Sequence, residues 1–209
     1  MENSKNKIVG IIDYGINNIN SVKNSLTRLN TNFKVINSKK SFFEASHYIL
    51  PGVGSFKRAM QNLKKMEIIP MIKSCVINEK KNFLGICLGM QLLFDKSFED
   101  GENDGLGLIK GEVKRLEKHL NLSVPNMGWL SPKFNKNSKL IKEVSENSFF
   151  YFVHSYACYS HDRNLSIATL QYKNEFDVIV QNKNLFGVQF HPEKSQDPGL
   201  QILKNFLNG

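Results

Sequence analysis

Short apolar runs alternate with amphipathic stretches through the first half of the chain, and this alternation predicts repeated strand–helix units. The predicted strands cover residues 8–12, 33–36, 48–50 and 83–86. The predicted helices cover about 18–29, 55–65 and 67–78, and a further helix starts over 88–94. In the first helix, Ile19, Val22 and Leu26 share one face. Units of this kind imply a parallel sheet covered by helices on both faces.

The second half changes character, because its apolar runs are joined by short links with few helical patterns between them. Strands are predicted over 108–116, 149–153, 167–172, 177–180 and 185–190, with a closing helix over 199–207. This spacing is typical of an antiparallel addition to the same sheet. We therefore expect an α/β fold: a mostly parallel central sheet with helices on both faces and an added antiparallel β part. No stretch has linker composition, so one domain is expected over 1–209.

Composition narrows the class of protein. Hydrophobic residues make up 41% of the chain, an ordinary globular value. No apolar run approaches the roughly 18 residues needed to span a membrane. Residues 1–7 are polar and lack the apolar segment of a secretory signal. Three cysteines, an odd number without paired spacing, argue against a disulfide framework. A cytoplasmic protein without a membrane partner is expected.

The formal net charge of +9 raises the question of nucleic-acid binding. Only four of the 28 basic residues are arginine, the side chain favoured where phosphates and base edges are read. The lysines are scattered, and no basic cluster is interleaved with aromatic residues. No nucleic-acid partner is expected.

The strongest chemical signal is Gly85-Ile86-Cys87-Leu88-Gly89, between a predicted buried strand and a predicted helix. It is the thiol counterpart of the G-x-S-x-G nucleophile elbow, in which a sharp strand-to-helix turn exposes the nucleophile and small neighbours leave room for it. A helix N-terminus also favours a thiolate over a thiol. The alternative is that Cys87 is a small buried apolar residue, as free cysteines often are.

A cysteine nucleophile needs a base, and the base needs a group that orients it. Three histidines in polar or loop-like surroundings are expected at the surface: His47, His119 and His161. His191 instead ends an apolar run and is followed by Pro192 and Glu193. Extended backbone through Pro192 would project His191 and Glu193 to one side. The alternative is an exposed strand-end histidine beside a solvated carboxylate.

Pro51-Gly52-Val53-Gly54 follows another predicted strand. Glycines on both sides of Val53 let this loop present backbone N–H groups, which could form an oxyanion hole with the N–H of Leu88. A plain turn with Ser55 capping the next helix is also compatible with the same residues.

These motifs together resemble the class I, triad-type glutamine amidotransferases. The resemblance rests on Gly85–Gln91 (GICLGMQ), the Pro51–Gly54 loop and the Gln189–Glu193 run (QFHPE). A narrower set is similar to the glutaminase subunits of imidazole glycerol phosphate synthase. That set comprises Asp13-Tyr14-Gly15, Gly105-Leu106-Gly107, Met127-Gly128-Trp129 and the run FVHSY ending at Tyr156.

The resemblance implies a role for each matching residue. Cys87 would attack the carboxamide of L-glutamine to give a glutamyl thioester and ammonia, with His191 as base and then acid and Glu193 as its orienting group. Val53 and Leu88 would supply oxyanion N–H groups. Six residues would contact the substrate: Gly52, Gly54, Gln91, Glu99, Ser155 and Tyr156. Among them Glu99 would face the ammonium group, and Ser155 and Tyr156 the α-carboxylate. No metal or cofactor is implied.

In that family the ammonia passes to a separate (β/α)8-barrel cyclase subunit in a heterodimer, for histidine biosynthesis. Two loops depart from the usual family pattern: Asn126 and Leu130 replace polar residues that flank Met-Gly-Trp, and Asn17 stands where glycine is usual. Both loops lie near the partner-facing side in the family. Two other functions therefore stay open: a glutaminase that feeds sugar amidation in surface-polysaccharide pathways, and a catalytically silent scaffold that binds a partner.

Overall fold

The computed structural model describes residues 7–117 and 123–209. Its helices are α1 (Ile19–Arg28), α2 (Phe56–Lys65), α3 (Ile69–Ile77), α4 (Leu88–Leu92) and α5 (Gln196–Asn208). Its first seven strands are β1 (Ile8–Ile12), β2 (Asn32–Ile36), β3 (His47–Gly52), β4 (Asn82–Cys87), β5 (Phe94–Ser97), β6 (Asn103–Asp104) and β7 (Ile109–Arg115). The strands that follow are β8 (Asn126–Leu130), β9 (Lys133–Phe134), β10 (Phe150–His154), β11 (Tyr156–Ser160), β12 (Ser166–Gln171), β13 (Glu175–Asn182) and β14 (Leu185–Val188).

The main sheet has the strand order β2-β1-β3-β4-β14-β13-β11-β7-β5-β6. In addition, β12 pairs with β13, and β9 pairs with β12. The first five strands in this order are mutually parallel. From β14 onward the pairings are antiparallel, apart from β5 beside β7. The predicted fold class, a mostly parallel sheet with an antiparallel addition, is confirmed.

Helices cover both faces of the parallel part, because successive strand residues point to opposite sides. Ile49 packs in one core cluster with residues of α1 and α5, whereas its neighbours Tyr48 and Leu50 pack in the other with residues of α2 and α3. The same alternation divides Leu84 from Phe83. These strands are apolar on both faces, as buried parallel strands are.

Several elements differ from the sequence-based prediction. The helix predicted over 88–94 ends at Leu92, because Phe94 is fully buried and already pairs with Ile109 of β7. The strand predicted over 149–153 is not in the main sheet: β10 pairs with β8 in a separate two-stranded sheet. Strands β5, β6, β8, β9 and β11 were not predicted. They are short and are defined by pairing across the chain rather than by a local apolar run.

The topology decides where the candidate residues meet. Strands β3, β4 and β14 are adjacent and parallel, with Gly52 opposite Cys87 and Ile86 opposite Val188. Their carboxyl ends therefore reach the same edge of the sheet. Ligand sites in open α/β sheets lie at this edge.

The longest helix within the described ranges is α5, with 13 residues. None of the helices in those ranges is both long enough and apolar enough to span a membrane.

Candidate active site

Strand β4 passes directly into α4 at Cys87, which has φ of 54° and ψ of −111°. A positive φ is uncommon for a residue with a side chain and indicates local backbone strain. The flanking glycines allow the turn: a Cβ on Gly85 would lie 2.6 Å from the carbonyl oxygen of Gly89, and one on Gly89 would lie 1.7 Å from that of Leu50. The backbone therefore has the predicted elbow. Glycine is required at positions 85 and 89, because neighbouring backbone atoms lie too close for a Cβ.

His191 and Glu193 are both buried, with 3% of each side chain exposed. Nδ1 of His191 is 2.8 Å from Oε1 of Glu193. The route to this contact differs from the prediction. Residues Pro192–Lys194 form a 3₁₀ turn, so the backbone is extended at His191 but not through Glu193. Proline fits the first position of such a turn because its φ is already near the helical value.

The second ring nitrogen of His191, Nε2, has no hydrogen-bond partner among the described residues. Burial alone disfavours a charged imidazole here. A thiolate at Cys87 and the carboxylate of Glu193 outweigh burial and raise the pKa of His191 to about 10. The protonated imidazole is thus stabilised by negative charge on both sides.

A cavity of about 250 Å³ lies at this edge of the sheet. It is lined by Val53, Gly54, Cys87, Leu88, Gln91, Glu99, Val153, His154, Ser155, Tyr156 and His191. Nine of these were predicted as site residues from the sequence. The volume is below the roughly 300–1,000 Å³ common for drug-sized ligands, so it suits a smaller molecule.

Two predicted residues do not line the cavity. Glu193 is bonded to His191 instead. Gly52 packs against Tyr14, and a Cβ on Gly52 would lie 2.0 Å from the Tyr14 hydroxyl oxygen. The position of Gly52 is therefore explained by packing beneath the loop, and the structure shows no contact of Gly52 with the cavity.

Val53 and Leu88 differ in the availability of their backbone N–H groups. Leu88 is the first residue of α4, where an N–H has no acceptor within the helix. The N–H of Val53 instead donates to the carbonyl oxygen of Ile16 at 3.2 Å. The predicted pair of oxyanion donors is therefore not assembled in this conformation.

Glu99 lines the cavity, and its Oε2 accepts a hydrogen bond from the N–H of Phe56 at 2.7 Å. Burial raises the pKa of the Glu99 carboxyl, and the Phe56 N–H opposes that shift. Phe56 is the first residue of α2, so the Glu99 side chain satisfies one of the N–H groups that every helix leaves without a partner at its start.

Two buried residues with polar roles in the site were not predicted. His154 lines the cavity, and burial lowers its pKa to about 4. Its Nδ1 is 2.9 Å from the carbonyl oxygen of Tyr156, and its Nε2 is 3.0 Å from Nδ2 of Asn126. Gln189 lies behind Cys87, with Nε2 3.7 Å from Sγ. The sequence signal for Gln189 was its position at the start of the Gln189–Glu193 run.

The histidines expected at the surface divide into three cases. His161 is exposed, as predicted, and His119 lies outside the described residues. The prediction for His47 is wrong: it is only 4% exposed, and burial lowers its pKa to about 4. It starts β3, between the ring of Phe206 and the side chains of Ser46 and Asn82.

Residues 10–209 match the family model for glutamine amidotransferase class-I. The chain belongs to the class-I glutamine amidotransferase family. It is 40% identical over 200 residues to "Imidazole glycerol phosphate synthase subunit HisH 2" of Methanococcus maripaludis, covering 96% of this chain and 98% of that one. It is 43% identical over 198 residues to subunit HisH of Moorella thermoacetica, covering 95% and 93%.

Two solved structures share the fold of this chain. "Structure of PurLQS from Thermotoga maritima" aligns with a TM-score of 0.71 over 97% of this chain and 98% of that one, at 18% identity. A second structure, "Crystal structure of glutamine amidotransferase", aligns with a TM-score of 0.70 over 95% and 98%, at 19% identity. At this identity the alignments support the amidotransferase fold alone.

Proposed function

We propose that this amidotransferase chain is the glutaminase subunit of an imidazole glycerol phosphate synthase, and that it hydrolyses L-glutamine to glutamate and ammonia. The observation that carries the proposal is that the strained Cys87 elbow lines the same cavity as His191, which is bonded to the buried Glu193. The relatives named above support the choice of synthase, because they are named as its HisH subunits.

In this proposal each residue of the triad has a role. The Cys87 thiolate attacks the carboxamide carbon of glutamine, and the carbonyl electrons move onto oxygen. His191, charged and aimed by Glu193, gives its Nε2 proton to the departing nitrogen, which leaves as ammonia. Water then attacks the thioester with His191 taking one of its protons, the C–S bond breaks, and glutamate leaves.

The cavity lining supports the assignment of the substrate contacts. Glu99 presents a carboxylate that can face the α-ammonium group of glutamine, and Ser155 and Tyr156 lie on the lining where they can meet the α-carboxylate. Gln91 holds the segment with Ser155 and Tyr156 against the interior, because its Nε2 donates to the carbonyl oxygen of Tyr156 at 3.0 Å. Gly54 keeps the nearby loop free of side-chain bulk.

An exposed apolar surface supports the existence of a partner subunit that receives the ammonia. Met127 and Trp129 of β8 are 61% and 43% exposed. Strand β8 pairs with β10, whose residues Val153 and His154 line the cavity. Large apolar side chains rimming a site commonly mark a protein interface. A (β/α)8-barrel cyclase seated here in a heterodimer would cover them next to the point of ammonia release.

Selective alkylation of Cys87 tests the chemistry. A γ-diazoketone analogue of glutamine should label Cys87 and spare Cys75 and Cys158, which are buried and do not line the cavity. Peptide mass mapping of the labelled chain reads the result. Label on Cys75 or Cys158 in place of Cys87 would contradict the assignment.

Cys87→Ala separates ammonia release from its use. The variant should lose glutamine hydrolysis but still support synthesis by an added cyclase when ammonium is supplied, because the thiol acts only in releasing ammonia. Synthesis of imidazole glycerol phosphate also distinguishes this subunit from a sugar-amidating glutaminase, which would not serve that cyclase. A silent scaffold would show no hydrolysis even in the unmodified chain.

A further inference from the structure

Gln189 continues the line of β14 into the site. Its backbone N–H donates to the carbonyl oxygen of Val178 at 2.9 Å, so the chain stays beside β13 beyond the last residue of β14. The backbone bends at Gln189 and Phe190, and from this bend the Gln189 side chain reaches Cys87, while His191 lines the same cavity as Cys87. Gln189 is fully buried, and its Nε2 lies at hydrogen-bonding distance, 3.7 Å, from the Cys87 sulfur.

Two donors determine which end of the Gln189 carboxamide faces the sulfur. Its Oε1 accepts from Nε2 of Gln91 at 3.1 Å and from the thiol of Cys158 at 3.9 Å. Burial, together with the nearby Asp177 and Cys87, raises the pKa of Cys158, so that this thiol keeps the proton it donates. An inverted carboxamide would lose both bonds and place an oxygen against Sγ. The amide group is therefore held with its N–H toward Cys87.

We propose that Gln189 is a further catalytic residue, whose Nε2–H donates to Sγ of Cys87 and stabilises the thiolate. Cys158 is then a positioning residue that acts through Gln189. Hydrogen bonds to a charged acceptor are stronger than those between neutral groups. A carboxamide also does not titrate, so its donation persists when His191 has passed its proton to the leaving ammonia. The proposal rests on the proposed function only for the role of Cys87 as nucleophile.

The pH profile of Cys87 alkylation tests this role in the full chain. Iodoacetamide reacts with the thiolate, so the rate follows ionisation of Cys87 and needs no glutamine. Gln189→Met keeps the length of the side chain and removes the donor. The midpoint of the rate–pH profile should move to higher pH, equivalent to about a tenfold weaker ionisation of Cys87, and the two rates should meet at high pH, where the thiol is ionised in both chains. Cys75→Ser is the matched control, because Cys75 is buried in α3 away from the site.

Cys158 gives a second, milder test. Cys158→Ala removes one of the two donors that orient Gln189 and should move the midpoint of the profile by a smaller amount. Cys158→Ser restores a donor and should bring the midpoint back toward that of the unmodified chain. Thermal melting establishes that each variant is folded.

A folded Gln189→Met chain with an unchanged profile would overturn the proposal. Should that variant fail to fold, an unchanged profile for Cys158→Ala would overturn it equally. If the variants gave the expected alkylation profiles but the unmodified chain did not hydrolyse glutamine, the result would count against the proposed function and not against the role of Gln189. The two failures are therefore distinguishable.

Discussion

At the scale of single residues, the site depends on the buried imidazole of His191 and the two negative groups beside it. His191 lies between the sulfur of Cys87 and the carboxylate of Glu193, and its raised pKa reflects both negative groups. Burial would otherwise favour the neutral ring. The two negative partners of His191 are therefore significant, because a charged imidazole without them would be costly at this depth.

Glu193→Gln and His191→Ala should differ in how much activity they remove. His191→Ala deletes the proton-transfer group and should lower kcat for glutamine by about 10²–10⁴-fold. Glu193→Gln keeps the shape of the side chain and weakens only the orientation and charge stabilisation of His191, so its loss should be smaller. Glu67→Gln, at an exposed position, is the control. Equal rates for Glu193→Gln and the unmodified chain would remove Glu193 from the triad.

His47 should make stability depend on pH, far from the site. Its pKa is lowered from 6.5 to about 4 in the folded chain. As pH falls through 6.5, the unfolded chain binds a proton that the folded chain refuses until about pH 4. The free energy of unfolding should therefore fall over this window and level off below it.

Urea titration at pH 7 and pH 5 measures this effect. The decrease between the two values should be about 1 kcal/mol smaller in His47→Gln than in the unmodified chain, allowing for some screening by solvent. An identical decrease in both chains would show that His47 is not the group responsible.

At the scale of elements, the elbow is a close contact between β3, β4 and α4. The start of α4 approaches β3 so closely that Gly89 has no room for a Cβ beside Leu50. Val188 and Gly187 of β14 pair with β4 on its other side. Cys87 is thus held by three adjacent parallel strands and one short helix, which explains how a strained residue persists.

Gly89→Ala should disrupt this contact. A Cβ 1.7 Å from a backbone oxygen requires the strand or the helix to move, so the loss in the free energy of unfolding should exceed about 4 kcal/mol or prevent folding. Gly101→Ala is the control: nothing lies within 4 Å of its Cβ, and only its positive φ opposes the change, at about 1–2 kcal/mol. Equal denaturation midpoints for the two variants would contradict the packing explanation.

At the scale of the whole molecule, the site and the exposed surface of β8 share the sheet formed with β10. The N–H of Val53, a predicted oxyanion donor, is bonded to Ile16 in this conformation. Losing one oxyanion donor typically costs about 10²–10³ in rate. Both features are expected of a subunit whose activity depends on its partner.

The isolated chain should hydrolyse glutamine weakly, and the rate should rise at least about tenfold when the liganded cyclase is added. Rotation of the peptide plane before Val53 would release its N–H from Ile16 and turn it toward the cavity. Gly54 is the position at which to test this, because it has φ of 88° and open space around it. Gly54→Val should blunt the rise and preserve alkylation of Cys87. Full activity in the purified subunit, unchanged by any cyclase, would refute partner activation.

Local patterns were sufficient to predict much of the fold and the elbow, loop and histidine of the site, whereas Gln91, Glu99, Ser155 and Tyr156 were assigned to it only through the family resemblance. The alternation of apolar runs with amphipathic stretches indicated the parallel sheet, because both periods are written in neighbouring residues. The glycines around Cys87 and the run ending at His191 likewise report constraints on adjacent backbone. Strands such as β8 and β11 escaped prediction because pairing with distant residues, rather than local periodicity, makes them strands.

Only the tertiary structure decided which polar groups touch. Burial of His47 follows from the packing of Phe206 beside it, 159 residues later in the chain, and the contact of Gln189 with Cys87 follows from the adjacency of β14 and β4. The bond from Val53 to Ile16 likewise joins two loops of the assembled sheet edge. Sequence determines the chemistry available at each position, whereas distances between remote side chains exist only once the strands have been ordered in the sheet.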